Sequence, residues 1–164
     1  MKSTLMVYYT FEGNTGYVAE LIRSSSGIET EPLKVDKEPP RYGFGKIFLG
    51  GKSAIFQEDP VLHPLKADID SYENIIIAFP VWAGTYPPAI GSFLKRCPIK
   101  DKTIYIIACS GSGRAEKAVN NIKKRLSDNR FAGELSLVEP LKNRERTQKQ
   151  ISLFLSNMEK AQAE

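Results

Sequence analysis

Three residues near the start of the chain, Thr10, Gly13 and Thr15, have types and spacing that suit the binding of a phosphate group. They follow an apolar run at residues 5–9 and precede a helical pattern, which predicts a turn between a strand and a helix. Free N–H groups in a first helical turn and the positive end of the helix dipole attract anions. Gly13 allows close backbone approach, and the two threonines add hydroxyl donors. An ordinary capped strand–turn–helix has the same pattern, so this turn alone leaves both interpretations open.

Two later loops also follow apolar runs and carry residues suited to a flat ligand. The first, residues 80–86, contains Trp82, the only tryptophan, in a turn rich in glycine and proline. Its ring is expected to be exposed unless an aromatic ligand stacks on it, although it could also fold back onto the protein. The second loop, residues 109–113, is built from small residues whose N–H groups can reach the polar edge of a ring. A phosphate, a planar ring and a polar ring edge together indicate flavin mononucleotide (FMN).

Strands and helices must alternate along the chain to place these loops. Apolar runs predict strands at residues 5–9, 29–35, 75–79, 103–109 and 135–138, and helical periodicity follows each strand. After the second strand, residues 44–56 predict an amphipathic helix interrupted at a pair of glycines. This order is typical of an α/β fold with a parallel sheet covered by helices on both faces. Loops after parallel strands emerge at one edge, so we expect the three loops to converge there.

Composition favours one domain over residues 1–164, with a net charge of +4. Residues 100–150 contain 12 basic and 6 acidic side chains, a net +6, whereas residues 1–99 contain 10 and 11, a net −1. The basic segment, residues 100–150, predicts either a solvated helix face or a docking surface for an acidic partner. Neither a leader nor a membrane-length apolar run is visible, which favours the cytoplasm and no membrane association. No nucleic-acid motif is present, and two cysteines with one histidine predict neither a disulfide framework nor a metal site.

The same three loops carry a family resemblance. The segment YYTFEGNTGYVAE resembles the phosphate loop of the flavodoxins, and AFPVWAGTYPPAI and IIACSGSGRAEKAV resemble the two flavin loops of their short-chain branch. The segment GFGKIFLGGKSAIF resembles the second helix region of that branch. The resemblance implies a three-layer sandwich with a five-stranded parallel sheet in the order 2-1-3-4-5. It also implies noncovalent FMN at the switch between the first and third strands.

The implied FMN site takes residues from all three loops. The phosphate would be held by Thr10, Phe11, Glu12, Gly13, Asn14 and Thr15, the ring lined by Pro80, Val81, Trp82, Ala83 and Gly84, and its polar edge met by Ser110, Gly111, Ser112 and Gly113.

The chain departs from the family pattern in three ways. Glu12 replaces the usual hydroxyl residue, so its carboxylate is expected to point away from the phosphate or to cap the helix. The third loop lacks an aromatic cover, which predicts an open flavin face. The net basic charge predicts a less reducing low-potential couple than that of the acidic family members.

The resemblance implies an electron-transfer protein that serves redox partner proteins, and the basic charge of residues 100–150 would suit acidic ones. The alternatives are an FMN-dependent NAD(P)H or quinone reductase that uses the open face, and a flavin-free interaction module. No catalytic side chain is named, because the flavin would supply the chemistry. A response-regulator receiver is excluded because residues 9–10 and 79–80 lack its acidic groups. The chain also lacks the Cys-x5-Arg loop of a small phosphatase and the Gly-x-Ser-x-Gly elbow of a serine hydrolase.

Overall fold

Five parallel strands form a single sheet in the order β2-β1-β3-β4-β5. In the computed structural model, which describes residues 3–38 and 59–163, the strands are β1 (Thr4–Tyr8), β2 (Glu29–Pro32), β3 (Asn74–Pro80), β4 (Thr103–Ser110) and β5 (Arg130–Val138). The central strands are continuous apolar runs because both of their faces are covered. This is the predicted sheet in the predicted order.

The helices follow the strands and cover both faces of the sheet. In the described part of the chain they are α1 (Asn14–Ser26), α2 (Pro88–Arg96), α3 (Glu116–Arg125) and α4 (Arg144–Ala163), with a short 3-10 turn at Ile69–Ser71. None of these helices combines the length and the apolar character that crossing a bilayer requires. The amphipathic helix predicted at residues 44–56 lies outside the described residues.

Alternate residues of each strand enter different halves of the core. Leu5 of β1 and Ile77 of β3 pack on the side of α2 and α3, where the buried stripe of α3 also lies. Met6 and Ile76 pack on the other side, with α1 and α4. Because side chains alternate across a strand, two separate apolar layers result, one on each face of the sheet.

The helical stripes agree with their predicted periodicity, whereas two strand boundaries differ from the prediction by more than one residue. In α3 and α4 the predicted stripes are buried: Ala115, Ala118, Val119, Ile122 and Leu126, and Ile151, Phe154, Leu155 and Met158.

The second strand ends at Pro32 rather than at residue 35, and Val35 forms only an isolated antiparallel bridge with Leu62. The fifth strand begins at Arg130, five residues before its predicted start. The difference at β5 has a physical reason. A Cβ at Gly133 would lie 3.0 Å from the Tyr105 ring, so the glycine that weakens the apolar pattern allows the two strands to pair closely.

Candidate functional site

The three loops that the sequence singles out meet at the carboxyl edge of the sheet, around a cleft of ≈ 330 Å³. Ten of the predicted site residues line it: Thr10, Phe11, Glu12, Asn14, Thr15, Pro80, Val81, Trp82, Ser110 and Gly111. The predicted residues Gly13, Ala83, Gly84, Ser112 and Gly113 lie in the same loops without lining the cleft. Convergence follows from the sheet, because every parallel strand ends at this edge.

The first loop is shaped by one glycine and one threonine. Gly13 is the N-cap of α1 and has a φ of 94°, a left-handed conformation that residues with a Cβ rarely adopt. The Gly16 N–H donates to Thr10 Oγ1 at 3.1 Å, so the Thr10 hydroxyl already satisfies one donor of the first helical turn. A Cβ at Gly13 would also meet Leu141 Cδ1 at 3.4 Å. The left-handed Gly13 and the Gly16–Thr10 hydrogen bond therefore fix the turn that starts α1, and a side chain at position 13 would crowd Leu141.

Several polar groups of this loop have no partner in the described part of the chain. The N–H groups of Glu12, Gly13, Asn14 and Thr15 donate no hydrogen bond there. Thr15 Oγ1 is buried beside the Cys109 thiol and likewise has no hydrogen bond of normal geometry among the described residues. Orphaned donors at a helix N-terminus attract an anion, and a buried hydroxyl without a partner is costly. The loop is therefore suited to a phosphate.

Glu12 does not cap the helix. The N-cap is Gly13, no side chain forms a cap hydrogen bond, and the first turn of α1 contains no acidic residue, so that alternative is wrong. The Glu12 side chain is exposed, as the other alternative requires. The pKa of Lys142 is raised, mainly by its hydrogen bond to Glu139 and to a lesser extent by the nearby Glu12 carboxylate. Glu12 thus has a cation in its surroundings.

Trp82 is buried, which contradicts the prediction that its ring is exposed. Only 5% of the residue is accessible, and its ring packs edge-on against Tyr9 at 5.8 Å and against Phe11 at 5.5 Å between centroids. Such edge-to-face pairs stabilise aromatic clusters beyond simple burial. The tryptophan therefore joins the wall of the cleft through two residues that follow β1, Tyr9 and Phe11.

A tight turn presents Trp82. The Trp82 N–H donates to the Thr85 carbonyl at 2.9 Å, and the Thr85 N–H donates back at 2.9 Å. The two central residues, Ala83 and Gly84, have φ values of 47° and 76°, the combination of a type I′ turn. Asn121 of α3 donates from Nδ2 to Thr85 Oγ1 at 3.2 Å. The turn is therefore anchored to the helix that follows the third loop.

A hydrogen bond to Ser110 Oγ shapes the third loop, and the space beside Gly111 is open. Ser110 Oγ accepts from the Gly113 N–H at 2.8 Å, and Gly113 has a φ of 77°. A Cβ at Gly111 would meet no atom within 4 Å among the described residues. Open space and a backbone without bulky side chains agree with the predicted polar edge of the site.

A fourth loop contributes residues that sequence reasoning missed. Glu139 and Pro140, directly after β5, line the cleft together with Cys109. The Glu139 N–H donates to the Ser110 carbonyl at 3.0 Å, which ties this loop to the third one. The sequence could have predicted this loop, because the carboxyl end of the fifth parallel strand must lie at the same edge as the other strand ends.

Cys109 is a packing residue at the base of the cleft. Its thiol is free, and burial raises its pKa to about 12, with an opposing, smaller effect from the Thr15 hydroxyl. A thiol with such a pKa is protonated at neutral pH and is a poor nucleophile. Its burial and raised pKa therefore disfavour Cys109 as the nucleophile of a phosphatase.

Comparisons with known proteins agree with this geometry. The sequence model of the flavodoxin family matches residues 53–156, more than half of the chain. No curated protein matches the chain in sequence.

Solved structures share the fold at low identity. A flavoprotein from Lactobacillus acidophilus in complex with FMN is 22% identical, with a TM-score of 0.67 over 88% of this chain and 98% of that one. A variant flavodoxin from Fusobacterium nucleatum bound to FMN is 12% identical, with a TM-score of 0.61 over 98% and 97% of the two chains. An NADPH-quinone reductase from P. pentosaceus is 14% identical, with a TM-score of 0.58 over 94% and 95%.

The sheet order, the converging loops and the sequence match lead to one family. The match supports FMN as the cofactor, in agreement with the three loops of the sequence. The chain belongs to the flavodoxin family.

Proposed function

We propose that the protein binds FMN noncovalently in the cleft and transfers electrons between redox partner proteins. The observation that carries the proposal is the set of orphaned donors at the start of α1: the N–H groups of residues 12–15 and the buried Thr15 hydroxyl. A phosphate would satisfy these groups at once, with the helix dipole in its favour. Family membership supports the same cofactor.

The remaining loops fit the rest of the cofactor. Val81 and Trp82 would line the ring, and the Ser110–Gly111 backbone would meet its polar edge, since these residues face the same cleft as the first loop. Bound FMN supplies one- and two-electron redox chemistry, for which the protein provides binding, orientation and electrostatics. No residue is assigned a catalytic role.

The second candidate is an FMN-dependent NAD(P)H or quinone reductase. It is favoured by the open space at Gly111 and by the absence of an aromatic side chain from residues 109–113, which would leave one face of the ring accessible. The fold shared with the NADPH-quinone reductase from P. pentosaceus is compatible with this candidate.

Spectroscopy tests the cofactor. The purified protein, mixed with FMN and desalted, should retain the two visible absorption bands of flavin in a one-to-one ratio. Gly13→Asp should lose them, because it adds a strained φ and a charge where the phosphate is expected, and Trp82→Ala should weaken retention. Leu153→Ser, on the exposed face of α4, is the matched control and should bind normally. A protein that remains colourless would contradict the proposal.

Turnover separates the two candidates. An electron carrier should oxidise NADPH in the presence of a quinone only when a separate reductase is added. Steady oxidation of NADPH by the holoprotein alone would instead establish the reductase function.

A further inference from the structure

A basic stripe begins beside the cleft and runs along α3. It consists of Arg114, just before α3, and of Lys117 and Lys124 within it, and all three side chains are exposed. Lys117, Asn121 and Lys124 are spaced i, i+4 and i+7, so they share one face of the helix. We refer to Arg114, Lys117 and Lys124 as the basic stripe.

The basic stripe lies next to the turn that presents Trp82. A Cβ at Gly84 would meet Lys117 Cδ at 3.8 Å, and Asn121, on the same face, donates to Thr85. Arg114 follows the third loop directly, and its N–H approaches Ser112 Oγ at 3.4 Å. Lys117 and Arg114 therefore lie beside the part of the cleft where the ring of FMN is proposed to lie, and Lys124 continues the basic face about two turns further along α3.

The cations of the basic stripe have no ion-pair partner among the described residues. In residues 3–38 and 59–163, none of its three cations takes part in an ion pair, whereas Lys123 on the neighbouring face is paired with Glu134. Glu116 is the acidic residue of α3. At the other end of the cleft, Lys142 is paired with Glu139, beside Glu12. Among the described residues, the basic stripe is therefore a run of cations without ion pairs that starts beside the third loop, while the exposed Arg144, over the Tyr17 ring, lies beside the first loop.

We propose that the basic stripe is the docking surface for an acidic redox protein, which receives or delivers electrons across the Trp82 turn. This inference rests on the proposed function and names the class of partner. A row of unpaired cations beside a redox centre steers an acidic surface to it and raises the rate of productive encounter. The uneven charge of the chain, +6 over residues 100–150, has the same sign.

The test compares two electron acceptors of opposite charge, acidic cytochrome b5 and basic cytochrome c. The dithionite-reduced FMN holoprotein is mixed with each in a stopped-flow instrument, and the variant Lys117→Glu/Lys124→Glu is compared with the native chain. The matched control is Lys160→Glu, an exposed charge reversal in the last turn of α4, which packs on the other face of the sheet from α3. Neutral benzoquinone serves as an acceptor that is insensitive to docking charge.

With the acidic cytochrome at low salt, the double variant should react about tenfold more slowly than the native protein, and with basic cytochrome c it should react faster. The difference should vanish near 0.5 M NaCl, where the Debye length is about 4 Å. The rates of Lys160→Glu, and all rates with benzoquinone, should stay close to native.

If the double variant retains FMN and reacts with each cytochrome at the same rate as the native protein, the docking surface is overturned and the cofactor proposal stands. A double variant whose altered rate appears equally with benzoquinone would also overturn it, since the change would then arise in the flavin itself. If the holoprotein oxidises NADPH in the turnover assay and the double variant has a raised KM for NADPH, the basic stripe binds a nucleotide and the docking proposal is overturned. Failure to bind FMN would refute the proposed function separately.

Discussion

The Leu141 N–H donates to Asn14 Oδ1 at 3.0 Å, although the two residues are 127 positions apart. Asn14 is the first residue of α1, and Leu141 lies in the loop after β5. The bond joins the proposed phosphate loop to the fourth loop of the cleft. The Asn14 side chain thereby cross-links the two loops, and we refer to this hydrogen bond as the strut.

Two substitutions at Asn14 separate this strut from ligand binding. Asn14→Ala should lower the free energy of unfolding by about 1 kcal/mol, because it leaves the Leu141 N–H without a partner, and should weaken FMN binding. Asn14→Asp keeps an acceptor and places an acid in the first turn, so the apoprotein should stay as stable as the native chain. Its affinity for FMN should nevertheless fall, because the carboxylate repels the phosphate. Urea unfolding and a fluorescence titration with FMN measure the two effects; a destabilised Asn14→Asp apoprotein would argue against the strut.

Thr15→Val tests the orphaned hydroxyl. Valine keeps the β-branched shape and removes Oγ1, which has no hydrogen bond of normal geometry in the described residues. Stability of the apoprotein should be unchanged or slightly higher, because no bond is lost. Affinity for FMN should fall by about 1.5–3 kcal/mol, the contribution of a hydrogen bond to a charged group. Unaltered FMN affinity would mean that Thr15 does not contact the phosphate.

Ala83→Gly should stabilise the protein. Ala83 has a φ of 47°, and a left-handed conformation costs a residue with a Cβ about 1–2 kcal/mol relative to glycine. Part of this gain is offset by the greater freedom of glycine in the unfolded chain. The control is Ala89→Gly in α2, where the same change should destabilise by about 1 kcal/mol. Thermal unfolding of both variants gives the comparison, and a destabilised Ala83→Gly would show that the turn conformation is different.

Cys109 should make stability depend on pH in the alkaline range. Its pKa is raised by burial to about 12 in the folded protein, while the thiol of an unfolded chain ionises near pH 8.5, about its ordinary value. Above that pH the unfolded chain releases the proton first, so stability is present below pH ~8.5 and is lost as the pH rises toward 12, by about 1.4 kcal/mol per pH unit.

The Cys109→Ala variant isolates this effect. Its free energy of unfolding should fall less between pH 8 and pH 10 than that of the native protein, as measured by urea denaturation at each pH. The Cys109 thiol of the native protein should also resist Ellman's reagent until the chain unfolds, whereas the other free thiol, Cys97, is only half-buried. Parallel pH profiles for the two proteins would show that Cys109 ionises normally in the fold.

Local pattern was sufficient for the architecture. Strand-length apolar runs and helical stripes depend on residues close in sequence, so the alternation of elements, and with it the parallel sheet, was predictable. The three loops were predictable as a group, because parallel strands direct their carboxyl ends to one edge. The stripe of α3 was read correctly for the same reason: every one of its predicted members is buried.

Contacts between distant residues were decided only by the tertiary structure. Trp82 has the sequence surroundings of an exposed loop residue, yet it is buried because Tyr9 and Phe11, some 70 positions earlier, pack their rings against it. The Asn14–Leu141 bond and the share of Glu139 in the cleft arise in the same way.

The sequence by itself determined which elements form and which edge carries the site, because backbone periodicity and strand direction follow from neighbouring residues. The tertiary structure decided which side chains complete the wall of the cleft, since close packing and hydrogen bonding depend on partners that only the folded chain brings within reach.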